Sequence, residues 1–154
     1  MSMLAFTLNG REVELEAPET TTLVELLRDH LGLPGAKVGC AQGNCGACTV
    51  HLDGGVVNAC LVLAPTVRGR RVDTAEGLGS LDHPHPLQSA FVRHYGAQCG
   101  YCTPGMLMAA KALLDRTPNP TKEDVVEALC GNLCRCTGYY KIVESVLSAA
   151  EEVT

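Results

Sequence analysis

Three cysteines in the stretch G-C-A-Q-G-N-C-G-A-C, residues 39–48, fall at C-x4-C-x2-C: Cys40, Cys45 and Cys48. A fourth, Cys60, follows after eleven intervening residues. This is the plant-type spacing in which four thiolates hold one [2Fe-2S] cluster. The glycines fit that chemistry. A loop around a small anionic cluster turns tightly and aims backbone N–H groups at sulfur, and Gly39, Gly43 and Gly46 reach left-handed φ at little steric cost. Zinc sites favour paired C-x2-C hooks, and four buried free thiols would not need a glycine-rich loop.

A second set lies downstream. Cys99 and Cys102 form C-x2-C just ahead of a helical pattern, and Cys134 and Cys136 form C-x-C after a Gly131-Asn132 helix stop. Four thiolates at helix ends sit where positive dipole ends favour an anionic site. By chemistry alone, tetrahedral zinc and a second [2Fe-2S] cluster satisfy this set equally.

The elements that must position these sets are legible in the patterning. Residues 4–8 alternate as a half-buried strand, Asn9-Gly10 is a hairpin signal, and 11–17 alternate again. Thr20–Thr22 offer a cap for a helix carrying Leu23, Leu26, Leu27 and His30, stopped at Gly32. Further strands are expected at 49–53, at 56–63 with Cys60 on it, and at 70–74, with Gly54-Gly55 as a turn. Around 76–86 the composition shifts to Gly, Ser, Asp, His and Pro. Beyond it the spacing predicts helices over 87–95, from Pro104 through Asp115, from a Thr121/Asp124 cap, and over 139–152. The expected class is α+β: a β-grasp ferredoxin-like domain over 1–76, a linker over 77–86, and a four-helix domain over 87–154.

Charge and composition narrow the partners. The formal charge is −5 and falls to about −9 if each oxidised four-thiolate cluster adds about −2. With no Trp and two Phe for base stacking, nucleic acid is a poor partner. The start M-S-M-L-A-F-T-L-N-G has neither a basic region nor an apolar core of a secretory signal, and no apolar run reaches membrane-spanning length. Nine cysteines in this setting point to metal ligands in a reducing, cytoplasmic compartment.

Together Q-C-G-Y-C-T-P-G at 98–105 and G-N-L-C-R-C-T-G-Y at 131–139, downstream of the first motif, resemble the iron–sulfur small subunit of the xanthine oxidase family of molybdenum hydroxylases. The resemblance covers nearly the whole chain. It implies two [2Fe-2S] clusters, one on Cys40, Cys45, Cys48 and Cys60, the other on Cys99, Cys102, Cys134 and Cys136 and nearer molybdenum. It implies that Gln98 and Cys136 lie against the pterin of the molybdenum cofactor. It further implies a large molybdenum-binding subunit, a medium FAD-binding subunit or an equivalent acceptor, and electron flow from molybdenum through both clusters to that acceptor. On this reading the chain is an oxidoreductase subunit without a substrate site of its own. A free-standing two-cluster ferredoxin and a metal module without redox function are the competing readings.

Other residues receive blander expectations. Cys130, the ninth cysteine, is expected as a small buried hydrophobe. Arg135 is read either as a solvated cation or as one offsetting cluster charge, His83, His85 and His94 as solvated surface, and Tyr101 and Tyr139 as packing residues.

Overall fold

The structure, a computed structural model, describes residues 1–153. Thr154, where the expected second domain ends, lies outside the described residues. The first half is a five-stranded sheet built from β1 (Ser2–Leu8), β2 (Arg11–Ala17), β3 (Thr49–Leu52), β4 (Gly55–Asn58) and β5 (Arg71–Asp73) in the order β2-β1-β5-β3-β4. β1 and β5 are parallel and the other pairs antiparallel.

Asn9 and Gly10 turn β1 into β2 with φ of 49° and 78°, the paired left-handed values a two-residue hairpin of matching twist requires. The β3–β4 turn comes one residue earlier than expected, at Asp53-Gly54, φ 50° and 80°. Gly55 instead pairs with Leu52. Asp53 tolerates left-handed φ and is held there by Arg70 Nε (2.6 Å) and the Arg71 N–H (2.8 Å).

The helix after β2, α1, has its α turn over Leu23–Glu25 and continues as a π turn through Leu26–His30. Thr22 caps it in a reciprocal box with Glu25. Leu23, Leu26 and Leu27 are fully buried on the sheet with Leu4, Phe6, Val50 and Val72. Each such side chain contributes about 1.5–3 kcal/mol by leaving water.

The second half is helical: α2 (Pro86–Arg93), α3 (Thr103–Arg116), α4 (Lys122–Ala128) and α5 (Tyr140–Val153). Pro86 and Pro104 sit in first turns, where a missing N–H costs nothing. The expected Thr121/Asp124 capping box opens α4. A separate core joins Leu87, Phe91, Met106, Leu113, Val125, Ile142 and Val146.

The two halves are fastened directly. Asn132, 5% exposed, donates its amide to Gly46 O (2.9 Å) and Thr49 Oγ1 (3.1 Å). His51 Nε2, from β3, bonds to Met108 O at 2.8 Å. The segment between β5 and α2 is also pinned: Gly35 N–H donates to Glu76 (2.6 Å), and Gln88 Nε2 reaches Ala75 O (3.4 Å).

Candidate metal centres

The first cysteine loop leaves α1 and returns to the sheet at β3. Ala41, Gly43 and Gly46 adopt φ of 54°, 76° and 69°, so successive N–H groups point inward. Gln42 N–H and Asn44 N–H each lie 3.4 Å from Cys40 Sγ. With the Cys45 N–H, these backbone donors lower the Cys40 thiol to about 6. A β-carbon on Gly39 would come within 2.9 Å of Cys45 Sγ, so a larger residue here would displace that sulfur. Cys48 is buried, and desolvation pushes its thiol up to about 11.

Cys60 does not ride on a strand. β4 ends at Asn58, and Cys60 sits in a 3-10 turn over Ala59–Leu61. The turn is tied back by Ala59 N–H to Cys48 O (3.2 Å) and Asn58 Nδ2 to Gly43 O (3.0 Å). Leaving the ladder brings the Cys60 sulfur to Cys48.

In the helical half, Cys102 is the N-cap residue of α3, and Gly100, φ 82°, turns the chain between Cys99 and Cys102. Burial, then the neighbouring Cys134, raises the Cys102 thiol to about 12. Burial would also raise Cys134, but hydrogen bonds led by Thr137 bring it below the ordinary thiol value. Bonding to Cys99 raises Cys136.

In each set the four sulfurs lie close enough to perturb one another. Cys45 acts on the Cys40 thiol, and Cys60 and Cys45 on that of Cys48; Cys134 and Cys99 act on the thiols of Cys102 and Cys136, respectively. A tetrahedral zinc draws four sulfurs to about 2.3 Å from one point, whereas a two-iron cluster takes them as two pairs. Among the described residues, no group of three or more His, Cys, Asp or Glu side chains is arranged to hold a metal ion. The gathered thiols and the backbone N–H donors directed at Cys40 Sγ fit the dinuclear cluster.

Residues 6–78 match the family described as a 2Fe-2S iron-sulfur cluster binding domain, and residues 74–147 match a [2Fe-2S] binding domain. The chain is 50% identical to the nicotine 6-hydroxylase small subunit of Paenarthrobacter nicotinovorans, over 94% of this chain and 87% of that one. It is 45% identical to the nicotinate dehydrogenase small FeS subunit of Eubacterium barkeri, over 94% and 92%. The chain belongs to the iron–sulfur small subunits of the xanthine oxidase family. The crystal structure of an aldehyde oxidoreductase from Desulfovibrio desulfuricans superposes with a TM-score of 0.96 at 45% identity. It covers 99% of this small subunit, which spans only 17% of that longer chain. The small subunit binds two [2Fe-2S] clusters and is the electron-transfer component of a molybdenum hydroxylase.

Several single-residue expectations change. Cys130 is exposed, not buried, because it follows the last turn of α4 at the surface. His85 caps α2, its Nδ1 accepting the Leu87 N–H at 3.1 Å. Burial, then the Lys111 charge, lowers its pKa. His94 is half-buried between Ser148 Oγ (2.9 Å) and Glu144 (3.3 Å). Tyr101 donates its hydroxyl to Val38 O across the two halves at 2.8 Å, and Tyr139 binds the Cys134 N–H at 2.9 Å. Arg135, Gln98, Cys99 and Cys136 are all exposed. Asn132, which reads in the sequence only as part of a helix stop, is a buried bridge to Gly46 and Thr49, and Thr137 lies against the Cys134 sulfur; a polar side chain beside a cysteine motif is the signal for both.

Proposed function

We propose that Cys40, Cys45, Cys48 and Cys60 hold one cluster and Cys99, Cys102, Cys134 and Cys136 the other, within domains spanning 1–76 and 87–154 joined by 77–86. The clusters supply a one-electron relay from a molybdenum–pterin centre on a large subunit to FAD on a medium subunit or an equivalent acceptor in the cytoplasm, the helical-domain cluster standing on the molybdenum side. The chain's own residues do the rest. Backbone donors at Gln42 and Asn44 stabilise charge on Cys40. Exposed Gln98 and Cys136 form the surface that meets the pterin and the large subunit. No helix is long and apolar enough to cross a membrane among the described residues.

The observation that supports this reading is that eight cysteines fall into two groups of four whose members perturb one another, the first with backbone N–H groups aimed at sulfur. Iron and acid-labile sulfide near four each per chain are expected. Each of the eight Cys→Ser variants should lose about half the iron, since a hard oxygen replaces a soft thiolate. Cys130→Ser should lose none. Full iron in any of the eight would sink that ligand's assignment. Purification of the assembled enzyme tests the partners: absence of a molybdenum-containing polypeptide would overturn that part.

A further inference from the structure

Cys134, Thr137 and Tyr139 close a ring of hydrogen bonds around one sulfur. Thr137 Oγ1 lies 3.1 Å from Cys134 Sγ. The same oxygen accepts the Tyr139 N–H at 3.1 Å, and the Tyr139 hydroxyl oxygen accepts the Cys134 N–H at 2.9 Å. A hydroxyl carries a single proton. With Oγ1 already accepting from Tyr139, its proton is directed at the sulfur, and a thiolate sulfur can only accept. The backbone is bent to make this ring. Gly138 has φ 63°, and Tyr139, a bulky residue, has φ 70°. Such a residue stays in the left-handed region only where its surroundings over-determine it. Here the two bonds of Tyr139, through its N–H and its hydroxyl, hold Thr137 and Cys134 in register.

We propose that Thr137 sets the potential of the helical-domain cluster: its O–H donates to the Cys134 sulfur and holds that cluster's reduction potential above the value it would have without the bond. The proposal rests on Cys134 being a ligand. Reduction adds one electron, delivered in the subunit's electron-transfer work, and no atom. The added charge is shared by the thiolate sulfurs, while the proton stays on Oγ1. A donor facing sulfur stabilises the more negative form, and so favours reduction. Thr137 acts through Cys134 and is a positioning residue.

The test is a redox titration of the assembled enzyme, followed by electron paramagnetic resonance, which resolves the two clusters. Thr137→Val keeps the shape and removes the proton. The helical-domain potential should move negative, while the other cluster, with no bond to Thr137, stays put as an internal standard. Thr137→Ser should restore the original value. An unmoved potential in a fully iron-loaded Thr137→Val enzyme would overturn the proposal, as would a Thr137→Ser enzyme shifted as far as Thr137→Val. If Thr137→Val loses iron, the unmodified enzyme decides. Frozen within milliseconds of mixing with heavy water, when hydroxyls but not backbone amides have exchanged, the enzyme should show a resonance Raman shift in an iron–thiolate stretch from the deuterated hydroxyl. No early shift would refute it. The ligand assignment is tested separately: a Cys134→Ala enzyme retaining all its iron defeats that assignment, whatever the Thr137 variants do.

Discussion

The carbonyl oxygen of Cys45 accepts the N–H of Leu133 at 2.9 Å, and Leu133 immediately precedes Cys134. One hydrogen bond thus separates the backbone of a cysteine in the first group from that of a cysteine in the second. Asn132, the residue before, bonds to Gly46, the residue after Cys45. The two sites share a short ladder rather than a loose interface.

Asn132→Ala should weaken that ladder. It removes the amide's bonds to Gly46 O and Thr49 Oγ1, while that carbonyl keeps the Thr49 N–H and hydroxyl, so the loss is about 0.5–1.5 kcal/mol for each bond. Denaturant unfolding of the iron-loaded protein should show the drop in midpoint, and fast reduction kinetics should show slower exchange between the two clusters. Unchanged stability would mean that water replaces the amide.

Gly105→Ala should act at the same seam. A β-carbon at Gly105 would run into the Gly46 carbonyl, backbone that has no rotamer to give. Overpacking of this kind costs about 1–3 kcal/mol. The first turn of α3 must back away, taking Cys102 with it, so iron content should fall in the helical half first. Cys130→Ser, whose side chain is exposed, provides the control.

Acid should loosen the start of α2. His85 accepts the Leu87 N–H through a neutral ring nitrogen, and burial and Lys111 lower its pKa, with Asp115 opposing. The folded state then binds fewer protons than the unfolded chain. The contribution is full above the unfolded value near 6.5 and is lost as pH falls through the lower folded value. His85→Asn, an N-cap residue that does not titrate, should flatten stability against pH in that window. A parallel fall in both proteins would assign the effect elsewhere.

Iron removal should release specific amides. Gln42 and Asn44 N–H groups point at Cys40 sulfur, and a cluster would add its hold on the stretch around Ala41, φ 54°, to the outer tie from Asn58 to Gly43. Hydrogen exchange over 39–48 should accelerate on chelation far more than over β1. Equal protection before and after would show that the loop is pre-formed.

The two cysteine sets were legible in the sequence because spacing within a loop is a local property. The Asn9-Gly10 turn and the Thr121/Asp124 cap were legible for the same reason, since their geometry involves only neighbours in the chain. The misjudged positions depend on distant partners. The Val56–Leu63 run reads as one strand, yet the ladder stops at Asn58 because Cys60 must turn toward Cys48. His94 reads as solvated until α5 is packed against α2 and supplies Glu144 and Ser148. Cys130 is apolar enough for a core, but its place after α4 puts it outside.

The seam at Gly46 has a kinetic meaning. Gly105 presses on one side of this residue, Gly131 and Asn132 on the other, and the Cys45–Leu133 bond lies alongside. Backbone packed on both sides of Gly46 and the Cys45–Leu133 bond fasten the halves together beside both cysteine groups. Transfer between the two sites should then proceed at the same rate in buffer as in viscous glycerol solution, however strongly turnover of the whole enzyme slows.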